Sequence, residues 1–197
     1  TSPDQRYESL SGEVGLTRQF QAGRWTHRVT GSLRARSSEG LSHAGTTNVL
    51  GPVRIGVPTR WGDATIDRTR GDASLDRVRQ HSAGVSWRAT WGETLELRAG
   101  LQRTDHRKDA LRPDAAPTQE RSVSWLPNVS VTWQAQPKLT LYTSYVRGLE
   151  ESGVAPNIAR NANEALPAVL AREVDLGARW QALPSSGLTA AVFRIDK

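Results

Sequence analysis

Four histidines, His27, His43, His81 and His106, and four aspartates, Asp63, Asp67, Asp72 and Asp76, are the side chains here best suited to metal chemistry. Their spacing does not support it. The histidines are scattered, with no pair at a ligand spacing. The aspartates lack the tighter Asp-x-Asp-x-Asp-Gly pattern of a calcium loop. They are interleaved with Arg68 and Arg70, so they read as solvated loop charges. Gly40, Gly45, Gly51 and Gly56 form no phosphate loop, and Asn128-Val129-Ser130 is a glycosylation sequon inside a strand-like run. Cysteine is absent, which removes thiol nucleophiles, disulfides and thiolate metal sites. No nucleophile–base pair and no paired carboxylates stand out, so the expectation is a non-enzyme with no metal and no cofactor. Binding chemistry is better represented. Arg147, Glu150, Glu151, Arg160, Asn161 and Asn163 fall in or beside one polar segment, and Arg and Asn can hold anionic or oxygen-rich ligands.

The elements that would position these residues have period two. Leu10, Gly12, Val14 and Leu16 alternate with polar or small neighbours, as do Val29, Gly31, Leu33 and Ala35. The pattern repeats through Ala83–Trp91, Leu95–Leu101, Val123–Trp133, Leu139–Tyr145 and Val174–Trp180. Successive strand side chains point to opposite faces, so each run has one apolar and one polar face. A last run, 188–196, is apolar on both parities and its faces stay unassigned. The reading is eight strands of about 9–12 residues, longer than the usual 5–6 and close to what a tilted strand needs to cross a bilayer.

Connections at 21–24, 92–93, 134–138 and 182–187 are short. Those at 37–76, 105–121 and 148–171 are long, polar and rich in Gly, Pro, Asn and Asp. Alternating short and long connections fit an outer-membrane barrel, with tight periplasmic turns and long external loops. Val53, Ile55 and Val57, in the first long loop, make a run too short to cross a membrane.

Composition agrees with this class. The 197 residues are 37% hydrophobic and 23% charged, with no run near the roughly 18 apolar residues of a membrane helix. The net charge of +6 comes from 26 Lys plus Arg against 20 Asp plus Glu. These arginines are spread along the chain rather than gathered in a nucleic-acid patch. Aromatics cluster by the short turns: Phe20, Trp25, Trp91, Trp133 and Trp180, with Trp125 and Tyr145 near the opposite strand ends. Two girdles at the lipid–water boundaries would place them so. Arg18, on the apolar parity, would snorkel. On the polar parity, Arg28, Arg34, Arg88, Arg98, Glu173, Asp175 and Arg179, beside Glu96, would line a hydrated lumen.

Strand polarity implies an internal run of strands from a larger barrel, an all-β, open curved antiparallel sheet spanning 1–197. A small closed outer-membrane barrel is the alternative within this class. A soluble all-β binding module of carbohydrate or adhesin type is the alternative outside it.

The last third resembles a known family. Leu139-Thr140-Leu141-Tyr142-Thr143-Ser144-Tyr145-Val146-Arg147-Gly148 looks like a strand that TonB-dependent outer-membrane receptors carry before a large external loop. Arg172-Glu173-Val174-Asp175-Leu176-Gly177-Ala178-Arg179-Trp180 is similar to the family's acidic-x-Gly-x-basic strand, and Ala191–Lys197 to the strand after it. The resemblance covers about 60 residues. The family's frequent Pro-Glu is Pro167-Ala168 here, and its plug, TonB-contacting box and terminal aromatic strand are missing. The resemblance implies part of a plugged barrel of ~22 strands in a Gram-negative outer membrane. Its partners would be outer-membrane lipid, the plug domain of the same full-length chain, the TonB complex through that domain, and a scarce nutrient, a ferric siderophore foremost.

Overall fold

The computed structural model describes residues 5–44, 56, 58, 71–183 and 185–197. The strands are β1 (Arg6–Ala22), β2 (Trp25–His43), β3 (Ala73–Trp91), β4 (Leu95–Arg112), β5 (Ala115–Gln136), β6 (Leu139–Glu150), β7 (Val169–Leu183) and β8 (Ser186–Asp196). They form one antiparallel sheet in the order β1-β2-β3-β4-β5-β6-β7-β8. Edge strands β1 and β8 do not pair with each other, so the sheet is open rather than a small closed barrel. At one end all four connections are two or three residues long. Gly23 and Gly92 turn two of them at φ of 60° and 53°, where a Cβ would be strained.

Register joins like faces to like. Leu97 pairs with Val131, Val131 with Thr143, Thr143 with Leu176 and Leu176 with Val192. On the other side Leu97 pairs with Ala89, Ala89 with His27 and His27 with Phe20. A slip of one residue would scatter these side chains to both faces. The register also gives the last run its faces: Leu188, Ala190 and Val192 lie on the apolar side.

Burial is inverted relative to a water-soluble domain. Leu16 is 82% exposed, Val14 69% and Val192 69%, whereas His106 is 3% exposed and Lys108 4%. The largest fully buried side chain among the described residues is Thr104. It accepts a hydrogen bond from Gln102 Nε2 at 2.9 Å, and its hydroxyl lies 3.0 Å from that of Ser82.

Two expectations change. Six strands run 15–22 residues, longer than the alternation indicated, while β6 with 12 and β8 with 11 keep to it. Residues 105–121 are mostly the upper part of the β4–β5 hairpin, which turns at Pro113-Asp114, rather than a long loop. From Arg103 on, the β4 positions that continue the apolar face become charged, so hydrophobic contrast disappears while the ladder continues. Cross-strand pairs take its place: Arg77 to Glu39 at 2.6 Å and Arg121 to Asp105 at 2.5 Å. Val53, Ile55, Val57, Asp63 and Asp67 lie outside the described residues. Asp76 is within β3, 2.9 Å from Arg112.

Candidate functional site

The polar face has two levels. Near the short turns, register sets Gln19, Arg28, Arg88, Arg98, Ser130, Ser144 and Asp175 side by side across seven strands. Three adjacent arginines repel unless anions intervene. Glu96 accepts from Arg88 at 2.5 Å and also from Arg98, and Arg28 donates to Gln19 at 3.1 Å. Arg34 reaches Glu13 at 2.9 Å, and Ser144 donates to Asp175 at 2.5 Å. Glu173 and Arg179 share the parity of Asp175, so all seven residues assigned to the polar lining lie on this face.

Toward the other end, the β6–β7 connection, 151–168, folds back over the polar face of β4 and β5. Lys108 Nζ donates to the Ser152 carbonyl at 2.5 Å and lies 3.8 Å from Glu151. Thr118 donates to the Asn163 carbonyl at 3.1 Å and accepts from the Ala165 amide at 3.1 Å. Val154 bridges to Ala165, and Asn163 sits at φ 63°, a conformation Asn tolerates better than most residues. Beneath this connection Lys108 pairs with Glu120 and His106 with Ser122. Both ring nitrogens of His106, Glu120 Oε2 and Ser122 Oγ are buried with no hydrogen-bond partner. Burial pushes His106 below the ordinary imidazole value, and the nearby Glu151 and Glu120 oppose that shift. A cation, an imidazole and two carboxylates around unmet donors and acceptors make a place for a polar ligand or ordered water.

The structure thus brings Glu151 and Asn163 against the polar face. Arg160 and Asn161 are exposed in the turn of the same connection. Glu150, at the end of β6, is held by Lys197 at 2.6 Å. Arg147 is elsewhere. It pairs with Arg172 and shares the parity of Tyr145, on the apolar side. Lys108, His106, Glu120 and Thr118 complete the cluster and were not legible. Lys108 and Ser152 are 44 positions apart, and no local pattern links them.

The aromatic rows follow the apolar face. Trp25 and Trp91 pack at 5.6 Å between ring centroids, with Arg24 6.0 Å over Trp91. Phe20 stacks on His27 at 5.0 Å, and Trp87 Nε1 donates to His27 Nδ1 at 3.2 Å. Trp133 and Trp180 pair with Leu95 and Leu139 near the short turns, whereas Trp125 pairs with Arg103 farther up. Glycine in the acidic-x-Gly-x-basic run also gains a reason: the Tyr142 ring fills the space a Cβ at Gly177 would need.

Over residues 1–197 the chain matches the family described as TonB dependent receptor-like, beta-barrel. It belongs to the TonB-dependent receptor β-barrel family. The members are transport receptors of Gram-negative outer membranes, not enzymes. Among solved structures the chain is similar to BauA, the ferric preacinetobactin receptor of Acinetobacter baumannii, at TM-score 0.77 and 19% identity, covering 97% of this chain and 29% of that one. The closed form of Fiu, a ferric-catecholate import receptor of E. coli K12, gives 0.76 and 15%, covering 98% and 31%. FpvA of P. aeruginosa, bound to heterologous pyoverdines, gives 0.69 and 22%, covering 97% and 26%. The chain therefore spans under a third of these receptors. No curated protein sequence matches it.

Proposed function

We propose that this chain is an internal part of the outer-membrane barrel of a TonB-dependent transporter that binds and imports a ferric siderophore. The observation that carries the membrane reading is the inverted burial: the large hydrophobics are exposed on one face, and the buried polar side chains, Ser38, Ser82, Thr104, His106, Lys108 and Ser124, lie on the other. Open edges at β1 and β8 support a larger barrel, because unpaired strand edges are not tolerated in lipid. In that barrel the apolar face meets lipid, and the Arg28–Arg88–Arg98 row lines the lumen and meets a plug domain. That domain, elsewhere in the full-length chain, would couple to the TonB complex.

The ligand would meet the β6–β7 connection over the lumen. Glu151, Arg160, Asn161 and Asn163, backed by Lys108 and His106, are the residues proposed to contact it. Arg147 is left out because of its parity. Siderophore chemistry rests on the solved relatives, whose names specify ferric ligands.

The test is uptake of radiolabelled ferric siderophores by iron-starved cells carrying or lacking the full-length gene. Loss of uptake of one siderophore on deletion, restored by the gene but not by a gene lacking 151–168, is the expected result. Unchanged iron uptake together with lost uptake of cobalamin or a sugar would replace the substrate. Recovery of the native product in the soluble fraction would remove the membrane reading.

A further inference from the structure

Pro127 sits in the middle of β5, where a proline is tolerated only if its nitrogen faces away from a ladder. The ladder with β4 runs past it, with Pro127 opposite Leu101. Its nitrogen therefore faces the other side, toward β6. Pro117 has the same parity. Successive residues of a strand turn their N–H and C=O groups to opposite sides, so Gln119, Arg121, Val123 and Trp125 also turn theirs away from β4.

No strand receives these groups. Pairing between β5 and β6 begins at Asn128, opposite Val146, and runs only toward the short turns. The rest of β6, Arg147–Glu150, pairs with β7 alone. Proline cannot donate at the next rung, and the two strands part there. Among the described residues, no backbone hydrogen bond outside the strand ladders reaches 115–127. The wall is thus notched above the rung of Val129 and Tyr145.

The two faces beside this open edge differ. On the polar face the 151–168 connection lies against β5: Thr118 holds Asn163 and Ala165, and Ser124 and Leu126 are buried. On the other face Val123 is 46% exposed and Trp125 54%. Arg121 follows them, in one row with Arg107 and Arg79, and Arg103 lies opposite Trp125. These four arginines face Asp105 and Asp109, an excess of positive charge.

We propose that the open edge of β5 binds an extended segment of another protein by strand addition, with apolar residues beside Trp125 and Val123 and an acidic residue beside Arg121. Alternating donors and acceptors at strand spacing are complemented by a second peptide backbone, and the exposed side chains set its preference. An edge kept from pairing carries charge along its length. Here Arg121 is the one charged residue among the four, and Asp105 already holds it. The connection closes the polar side, so the segment approaches from the other. β5 runs down toward the short turns, so an antiparallel segment would place its N-terminal part at Trp125 and its acid, farther along, at Arg121. The edge does not depend on which ligand is imported; only its outward aspect rests on the membrane reading above.

The probe is a short labelled peptide that alternates Thr with Val and carries Glu in place of the last Val, titrated by fluorescence anisotropy into the full-length receptor in phospholipid nanodiscs. Directly opposite residues of an antiparallel pair share both their face and their bonding side, so the Val amides would meet β5. N-methylation of the Val amides should abolish binding, and N-methylation of the Thr amides should leave it intact. Val123→Pro removes an N–H from the open side without touching the β4 ladder and should weaken binding about tenfold. Lys in place of the peptide's Glu should weaken it as well. Heat-modifiable migration on gels establishes that the variant is folded, whichever ligand the receptor carries. A wild type that binds no peptide, or binds the two N-methylated forms equally, overturns the site. A receptor dimer that forms without peptide and is lost in Val123→Pro gives the edge to a second copy and overturns it too. A different imported ligand would leave all these results unchanged, whereas recovery of the wild type outside the membrane fraction overturns the outward aspect together with the membrane reading.

Discussion

Between Leu95 and Leu101, β4 puts Leu95, Leu97, Ala99 and Leu101 on one face and Glu96, Arg98 and Gly100 on the other. Between Arg103 and Asp109 the same strand puts Arg103, Asp105, Arg107 and Asp109 on the first face and Thr104, His106 and Lys108 on the second. The ladder with β5 runs unbroken through both halves. The lower half is organised by the parting of apolar and polar side chains to opposite faces. In the upper half both faces are polar, and cross-strand charges and the overlying β6–β7 connection take over.

The largest expected effect breaks the lower half. In an intact barrel Leu97→Arg places a charge at mid-strand on the lipid side and should cost roughly 2–4 kcal/mol. Arg98→Leu removes one of two arginines from Glu96 on the polar side and should cost about 1 kcal/mol or less. Denaturant unfolding of the full-length receptor in phospholipid vesicles compares them. A larger cost for the Arg98 change would invert the assigned faces.

Next comes Gly177→Val, on the polar side of β7. The new side chain must displace the Tyr142 ring, at about 1–3 kcal/mol of strain. Adding Tyr142→Ser should remove most of that loss, because the two sites are in contact. Additive costs would mean that some other contact limits Gly177.

What was legible in the sequence follows from the same contrast. The lower strand halves, the short turns and the parity of Trp91, Trp133 and Trp180 all produce alternation between unlike residues. Residues 105–121 produce none, so a hairpin looked like a loop. The run 188–196 failed for a different reason: Val192 and Phe193 are both apolar and both exposed on an edge strand, and only pairing with β7 separates their faces. At the candidate site Glu151 and Asn163 were legible as polar loop residues. Their meeting with Lys108 on β4 and Thr118 on β5 depends on the β6–β7 connection folding back past β6.

The upper half can be probed through His106. Its folded value lies below the ordinary imidazole value because it is buried. The unfolded chain therefore binds more protons, and this group's contribution is fully present above about pH 6.5 and lost as pH falls toward the folded value. Acidification should loosen the β6–β7 connection, seen as faster hydrogen exchange at Asn163 and Ala165 in the full-length receptor. His106→Gln should flatten that dependence. An unchanged pH profile in the variant would place the sensitive group elsewhere.

The smallest effect tests whether ion pairs hold the upper hairpin together or decorate it. Asp105 and Arg121 form a short pair, and the hydrogen bond to Arg121 chiefly holds the Asp105 carboxyl below the usual carboxylate value. The pair is solvent-exposed above the apolar rows, where water and salt screen it. The backbone ladder there does not depend on it: Asp105 pairs with Val123 and Arg107 with Arg121 through main-chain register. Asp105→Asn should leave the unfolding midpoint unchanged within measurement scatter, and added salt should not separate variant from wild type. Amide exchange at Thr104 and His106 should stay as slow as in the wild type, because both are buried on the other face. Exchange that becomes fast along 103–112 in the variant would mean that charge pairing, rather than the ladder and the covering connection, keeps this half of the strand in place.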